Sequence, residues 1–395
     1  MNKIGIALKH TSYLIIVIFC KLIITKKKRW VFGSWFGTNF SDNSKWLYLK
    51  VLKDYKEIEA VCITKDKEAI KYINSIGGKA LLYNSFLANY YVATAGVVFM
   101  THDYIDLSPI YLITKAYKVQ LWHGVALKKI GYDVDSEDNS TISKKLINKI
   151  IDEWQICDLY IAPSETYATT VKSAFNTTDD KVIRVGQPRN DMLFYKNNTA
   201  SKFPGKKIIT YMPTFRDNKS AFDFSELEAE EAKALNIILN KYNAIIVQKN
   251  HFVDSNTDNV NKNNGKNVIN IDKVDTQELL ISTDILITDY SSCYFDFLLL
   301  DRPIIHYVYD YKYYNKDDRG LYYKLEAASG GKLSYDFSSL LTDIEEYLID
   351  PTIDSIKRAS CRKEYVTFED GKASEKVIEF IMDKKYNKMY REELI

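Results

Sequence analysis

The 395-residue sequence is poor in the residues that tie small folds together. Its five cysteines, Cys20, Cys62, Cys157, Cys293 and Cys361, stand singly with no C-x-x-C pair. That pattern implies neither a disulfide framework nor a structural zinc, and it fits a reducing cytosolic setting. The formal net charge is only +2, too small for the whole surface to attract nucleic acid, and no zinc-finger or RNA-binding signature is present. Nucleic acid is therefore not expected as a partner, and any basic site must be local. No acidic cluster has metal-ligand spacing, so neither a metal nor another cofactor is required. Internal repeats are lacking too. So is an apolar run of the roughly 20 residues that a spanning helix needs.

The longest such run, YLIIVIFCKLIIT at 13–25, is broken by Lys21 and followed by Lys26, Lys27, Lys28 and Arg29. A secretory signal carries its charges before the apolar stretch, so secretion is not expected. Residues 1–28 are read as a membrane-associating helix lying in the cytoplasmic leaflet interface, each basic charge adding on the order of 1 kcal/mol against anionic lipid. A buried first helix is the other reading. The first reading makes the protein peripheral on the cytoplasmic face of the cell membrane.

What remains is rich enough for two cores, with 46% hydrophobic and 27% charged residues. From Arg29 onward β-rich runs alternate with amphipathic segments: strands RWVFGSW, IEAVCIT, KALLY, VVFMTH, KVQLWHG, DLYIAPS and KVIRVG, with helices such as SDNSKWLYLKVLKDY and ISKKLINKIIDEW between several of them. A polar stretch near 187–207 intervenes, and the alternation restarts with IITYMP, AIIVQKN, NVINI, DILIT and RPIIHYVY. Such βαβ patterning predicts an α/β protein of two Rossmann-like domains, at 29–200 and 201–395, facing a cleft.

Ligands of open parallel sheets sit beyond the carboxyl ends of the strands. That rule selects His102, His123, residues 213–217, His251 and residues 288–292 from the whole chain. His123 lies in QLWHGVALKKIGYD, where Gly124 leaves room beside the imidazole and Lys128 can attract an anion. The ring could take a proton from a hydroxyl, or simply pack under Trp122. Thr288, Asp289, Ser291 and Ser292, in ILITDYSSCYFDF, could converge hydroxyls and helix-start amides on a diphosphate, or serve only as an N-cap. Arg216 could fork onto a phosphate or pair with Asp217. His251, beside Lys249, could stabilise a departing phosphate or be structural. His102 and GQPRNDML, with Asn190, are further candidates, whereas His10 and His306 read as structural.

Together WHGVALKKIGYD, GQPRND, YMPTFRD, ITDYSSCYFDFLLLDRPIIHYVYD, DRG at 318–320 and DGKASEKV at 370–377 resemble, in order and spacing, the CDP-glycerol glycerophosphotransferase family of teichoic acid synthesis. The resemblance implies a GT-B-like fold, CDP-glycerol or CDP-ribitol as donor, and a lipid-linked saccharide or polyol-phosphate acceptor. It implies that His123 is the general base, that His251 contacts the diphosphate, and that Arg216, Asp217 and Arg319 line the same cleft. Two departures stand out: Phe252 follows His251 where the family has proline, and AASGGKLSYDF replaces a PGP turn. A nucleotide-sugar glycosyltransferase and an inactive membrane scaffold are the rival readings.

Overall fold

The computed structural model describes residues 20–134, 156–195, 203–214, 222–249, 267–271, 274–311 and 320–387. The first part builds a parallel sheet from β1 (Lys26–Phe32), β2 (Glu59–Thr64), β3 (Ala80–Leu82), β4 (Ala95–Met100), β5 (Tyr117–Gln120), β6 (Leu159–Ala162) and β7 (Val182–Arg184), in the order β3-β2-β1-β4-β5-β6-β7. A second sheet follows, from β8 (Lys207–Met212), β9 (Ala244–Gln248), β10 (Val268–Asn270), β11 (Ile285–Thr288), β12 (Ile304–Tyr307) and β13 (Lys332–Ser334), in the order β10-β9-β8-β11-β12-β13. Each order reverses direction beside its first strand. Each sheet therefore has a switch point, between β1 and β4 and between β8 and β11, where neighbouring connections leave on opposite faces and open a crevice.

The strands read as continuous apolar runs because both faces are covered. Every residue of β4, AGVVFM, is buried. Val31, Val61 and Val98 face one layer, while Trp30, Phe32 and Phe99 face the other, with the Phe32 and Phe99 rings stacked at 4.4 Å. Leu47, Tyr48 and Val51 of the helix Asp42–Asp54 close that second layer. In the second sheet Ile209, Ile246, Ile287 and Ile305 pack under Leu235 and Leu239 from one helix and Leu340 and Ile344 from another. Each such side chain contributes roughly 1.5–3 kcal/mol on burial.

Lys26, Lys27 and Lys28 are the exposed start of β1, tied by Lys26 N–H to the Thr94 carbonyl at 2.8 Å, so the first sheet begins before the boundary expected at residue 29. Residues 1–19 lie outside the described set, as does the helix expected at 142–154; no helix among the described residues is long and apolar enough to cross a membrane. The helix Ala229–Lys241 is preceded by a 3-10 turn at Phe224–Glu226. Beyond β12, where the sequence reading assigned no elements, helices run over Phe337–Ile349, Ser355–Tyr365 and Ala373–Met382. The last of these returns to the first sheet, where Val377, Ile378 and Ile381 join the layer of Trp30 and Phe32.

Candidate active site

A cavity of about 330 Å³ opens where the carboxyl ends of the two sheets meet. His123 and Lys128 come to its wall from beyond β5, and Ser291 and Ser292 from beyond β11, so four expected residues from two sheets share one space. Gly124 shows how closely the halves approach. At φ +139° a Cβ on this residue would lie 3.0 Å from Ser292 Oγ and 2.9 Å from Arg189 Nη2. Only glycine fits such a position.

His123 Nδ1 lies 2.9 Å from the Thr101 carbonyl oxygen. A carbonyl can only accept, so Nδ1 carries the proton and Nε2 is left as the lone-pair nitrogen of a ring that lines the cavity. Its faces are held by His102, with centroids 4.3 Å apart, and by Trp122, also at 4.3 Å, while Trp35 closes in at 5.4 Å. This clamp is built on strained backbone: Trp35, Phe36 and Trp122 have φ of 48°, 54° and 51°. Enclosure pushes the imidazole down to about 4, helped by His102 and opposed by Asp42. His102 is likewise pushed down to about 4 by burial. Both rings are therefore neutral near pH 7, the state a proton acceptor needs.

What fixes His123 is a network that sequence reasoning missed. Arg189, in GQPRND, donates from Nη1 to the His123 carbonyl at 2.8 Å and to Asp42 Oδ1 at 2.8 Å, and its Nη2 meets Asp296 Oδ2 at 2.6 Å. Asn43, next to Asp42, holds the Leu121 and Trp122 carbonyls at 3.1 and 3.0 Å. Asp42, Arg189 and Asp296 are all buried. Burial pushes the Asp42 carboxyl up, but Arg189 and His123 outweigh it and hold the group below its ordinary value. At Asp296 burial wins over Arg189 and the value is raised. One guanidinium thus ties the His123 loop of the first half to the helix Cys293–Phe297 of the second.

Asn190 belongs to this network and not to the cavity wall: its Nδ2 donates to Asp296 Oδ1 at 2.8 Å. Thr288 is buried, donating to the Met212 carbonyl at 2.7 Å. Asp289 accepts from Thr214 N and Oγ1 at 2.8 and 2.6 Å and from Tyr290 N at 2.6 Å, locking the ends of β8 and β11 together. Buried His306 braces the same turn from below, with Nδ1 2.8 Å from the Asp289 carbonyl. Thr288 and Asp289 therefore shape the turn, and Ser291 and Ser292 present it. The helix that follows has five residues before a 3-10 turn at Leu298–Leu300, a short dipole, so an anion placed here would be held mainly by hydroxyls and nearby cations.

One such cation is Lys249, just past β9, buried against Thr276 Oγ1 at 2.6 Å and lining the cavity. Burial lowers its value, with Asp275 opposing. The strand-end rule applied to β9 would have found it; Arg189 lay inside the candidate segment GQPRNDML without being singled out, and Asp42 and Asp296 had no such signal. Lys128 forms an antiparallel bridge with Leu321, and Lys129 N–H reaches the Gly320 carbonyl at 3.0 Å, so a strap from the second half roofs the loop after His123. His251, Arg216, Asp217 and Arg319 lie outside the described residues.

Comparisons with known proteins bear on the family and the fold. The chain is 27% identical over 410 residues to a teichoic acid glycerol-phosphate transferase of Staphylococcus aureus, covering 96% of this chain and 99% of that one. It is 29% identical over 414 residues to a teichoic acid poly(glycerol phosphate) polymerase of Bacillus spizizenii, covering 96% and 100%. A variant of the wall teichoic acid polymerase TagF has the same fold, with a TM-score of 0.78 over 97% of each chain at 24% identity. The profile of one family matches residues 15–383, and the chain belongs to it: the CDP-glycerol:poly(glycerophosphate) glycerophosphotransferases.

Proposed function

We propose that the protein transfers glycerol phosphate from CDP-glycerol to a hydroxyl of a membrane-linked teichoic-acid or capsule-like acceptor and releases CMP. The observation that carries this reading is an imidazole with its lone pair on Nε2 sharing one cavity with two serines and a buried lysine. The acceptor hydroxyl gives its proton to Nε2 of His123 as its oxygen attacks the distal phosphorus. The bond from that phosphorus to the CMP oxygen breaks, and the charge that gathers on CMP is met by Ser291, Ser292, Lys249 and Lys128. The family resemblance assigns His251 to the diphosphate, and Arg216, Asp217 and Arg319 to the same cleft. The two parallel sheets act as the two halves of a GT-B-like enzyme, divided near residue 201 and rejoined by the returning last helix. Teichoic-acid chemistry on a lipid-linked acceptor places the enzyme peripherally at the cytoplasmic membrane face.

Purified protein given a lipid-linked acceptor should consume CDP-glycerol in preference to CDP-ribitol and release CMP in step with product. Preference for CDP-ribitol would reassign the enzyme as a ribitol-phosphate transferase. Turnover of a nucleotide sugar with release of a nucleoside diphosphate would overturn the phosphotransfer reading.

A further inference from the structure

Two buried residues that no step of the proposed reaction uses, Thr101 and Asp106, sit behind the histidine pair. Thr101 directly follows β4, and Asp106 closes the 3-10 turn Tyr104–Asp106. Thr101 touches both rings. Its carbonyl takes the Nδ1 proton of His123 at 2.9 Å, and its hydroxyl lies 3.1 Å from Nδ1 of His102. The direction of that second bond follows from what else the hydroxyl does. Its oxygen accepts from Trp35 N at 3.2 Å, and it donates to Asp106 Oδ2 at 3.2 Å. A hydroxyl has one proton and two lone pairs. The proton goes to Asp106 and one lone pair to Trp35, so the other is left for an Nδ1–H of His102.

Asp106 fixes Thr101 in turn. Its Oδ2 accepts from Thr101 N at 2.7 Å and His102 N at 2.9 Å as well as from the hydroxyl, and its Oδ1 accepts from Phe36 N at 2.6 Å. Burial raises the carboxyl above its ordinary value against the pull of these donors. With three donors already on Oδ2, a proton would have room only on Oδ1, so Oδ2 accepts in either state. One carboxyl group thus holds both the Thr101–His102 backbone and the strained Trp35–Phe36 loop, whose rings pack on His102 at 4.8 and 4.5 Å.

Resting on the phosphotransfer reading above, we infer that Thr101 and Asp106 are positioning residues of that reaction: together they hold His102 and His123 in one tautomer, with the proton on Nδ1 and the lone pair on Nε2. Neither ring can turn over without breaking a bond to Thr101. The two rings stack at 4.3 Å, so loosening one loosens the other. The proton acceptor is thereby oriented before substrate arrives.

Ring-nitrogen NMR of the full chain at pH 7, with signals assigned from His102→Gln and His123→Gln, should show a protonated Nδ1 and a bare Nε2 on both rings. A proton on Nε2 of either ring overturns the inference. Kinetics of CMP release then separate positioning from plain support of the fold. Thr101→Val keeps the carbonyl and the shape but removes the hydroxyl. It should lower kcat about tenfold, leave the KM for CDP-glycerol unchanged and free His102 from its single tautomer, with Thr101→Ser near wild type. Asp106→Asn sets an amide N–H against at least one N–H that the carboxyl now accepts, and should lower kcat about tenfold to hundredfold. The Thr101 pair carries the test alone if Asp106→Asn does not fold. An unchanged kcat in Thr101→Val, or a KM for CDP-glycerol that rises in step with the fall in kcat, overturns the inference. If wild type releases no CMP, the function reading fails by itself, and the tautomers of wild type and Thr101→Val still decide this one.

Discussion

The two sheets share one strand order through their first six positions, but their carboxyl ends carry different chemistry. Beyond the first sheet stand rings on strained backbone: Trp35, Trp122, His102 and His123. Beyond the second stand hydroxyls and a lysine on a turn locked by Asp289 and His306. The strand order supplies a crevice in both cases, and the residues after each strand decide what the crevice does. In the proposed reaction one end holds the neutral proton acceptor and the other holds the anion. Arg189 makes them one site, because it binds the His123 carbonyl and the Asp296 carboxylate at once.

That division of labour can be broken at defined points. Removing the proton acceptor has the largest expected effect: His123→Ala should lower kcat by about 10² to 10⁴, measured by CMP release at saturating donor and acceptor. Next is the link between the halves. Arg189→Leu leaves Asp42 and Asp296 buried without their cation and should cost about 3–5 kcal/mol of stability in a denaturant titration. Ser292→Ala removes one hydroxyl from the anion turn and should raise the KM for CDP-glycerol by roughly tenfold, the effect of a hydrogen bond to a charged group.

The smallest effect is pH. With His123 and His102 held near 4 against an ordinary 6.5, their neutral forms are favoured by folding. Their contribution to stability is then present above pH 6.5 and is lost as pH falls toward 4. In the free enzyme the acidic limb of kcat/KM should accordingly lie well below 6.5, near 4. A limb at 6.5 or above would show that the imidazole is not enclosed as described.

Much of the fold and part of the site are legible in the sequence, and the reason is local. Alternating apolar and amphipathic runs encode parallel strands and their helices. A polar or ring-bearing residue just past an apolar run then marks a strand end, which is what singles out His123, Lys128, Ser291 and Ser292. What stays hidden depends on distant pairing. Arg189 and Asp42 are separated by 147 residues, and Asn190 and Asp296 by 106, so nothing near either member announces its partner. Lys26 to Lys28 read as a basic cluster, and nothing in its composition announces that it also opens β1, where Lys26 N–H meets the distant Thr94 carbonyl. The return of the last helix to the first sheet is unreadable for the same reason, since an amphipathic face does not name the surface it covers.

The most direct measurement is calorimetric titration of CDP-glycerol into His123→Ala and Ser292→Ala side by side. With the proton acceptor on one sheet and the anion turn on the other, donor affinity should be unchanged in the first variant and weakened in the second. Weakened binding in His123→Ala with unchanged binding in Ser292→Ala would place the nucleotide's phosphates on the first sheet and contradict that division of roles.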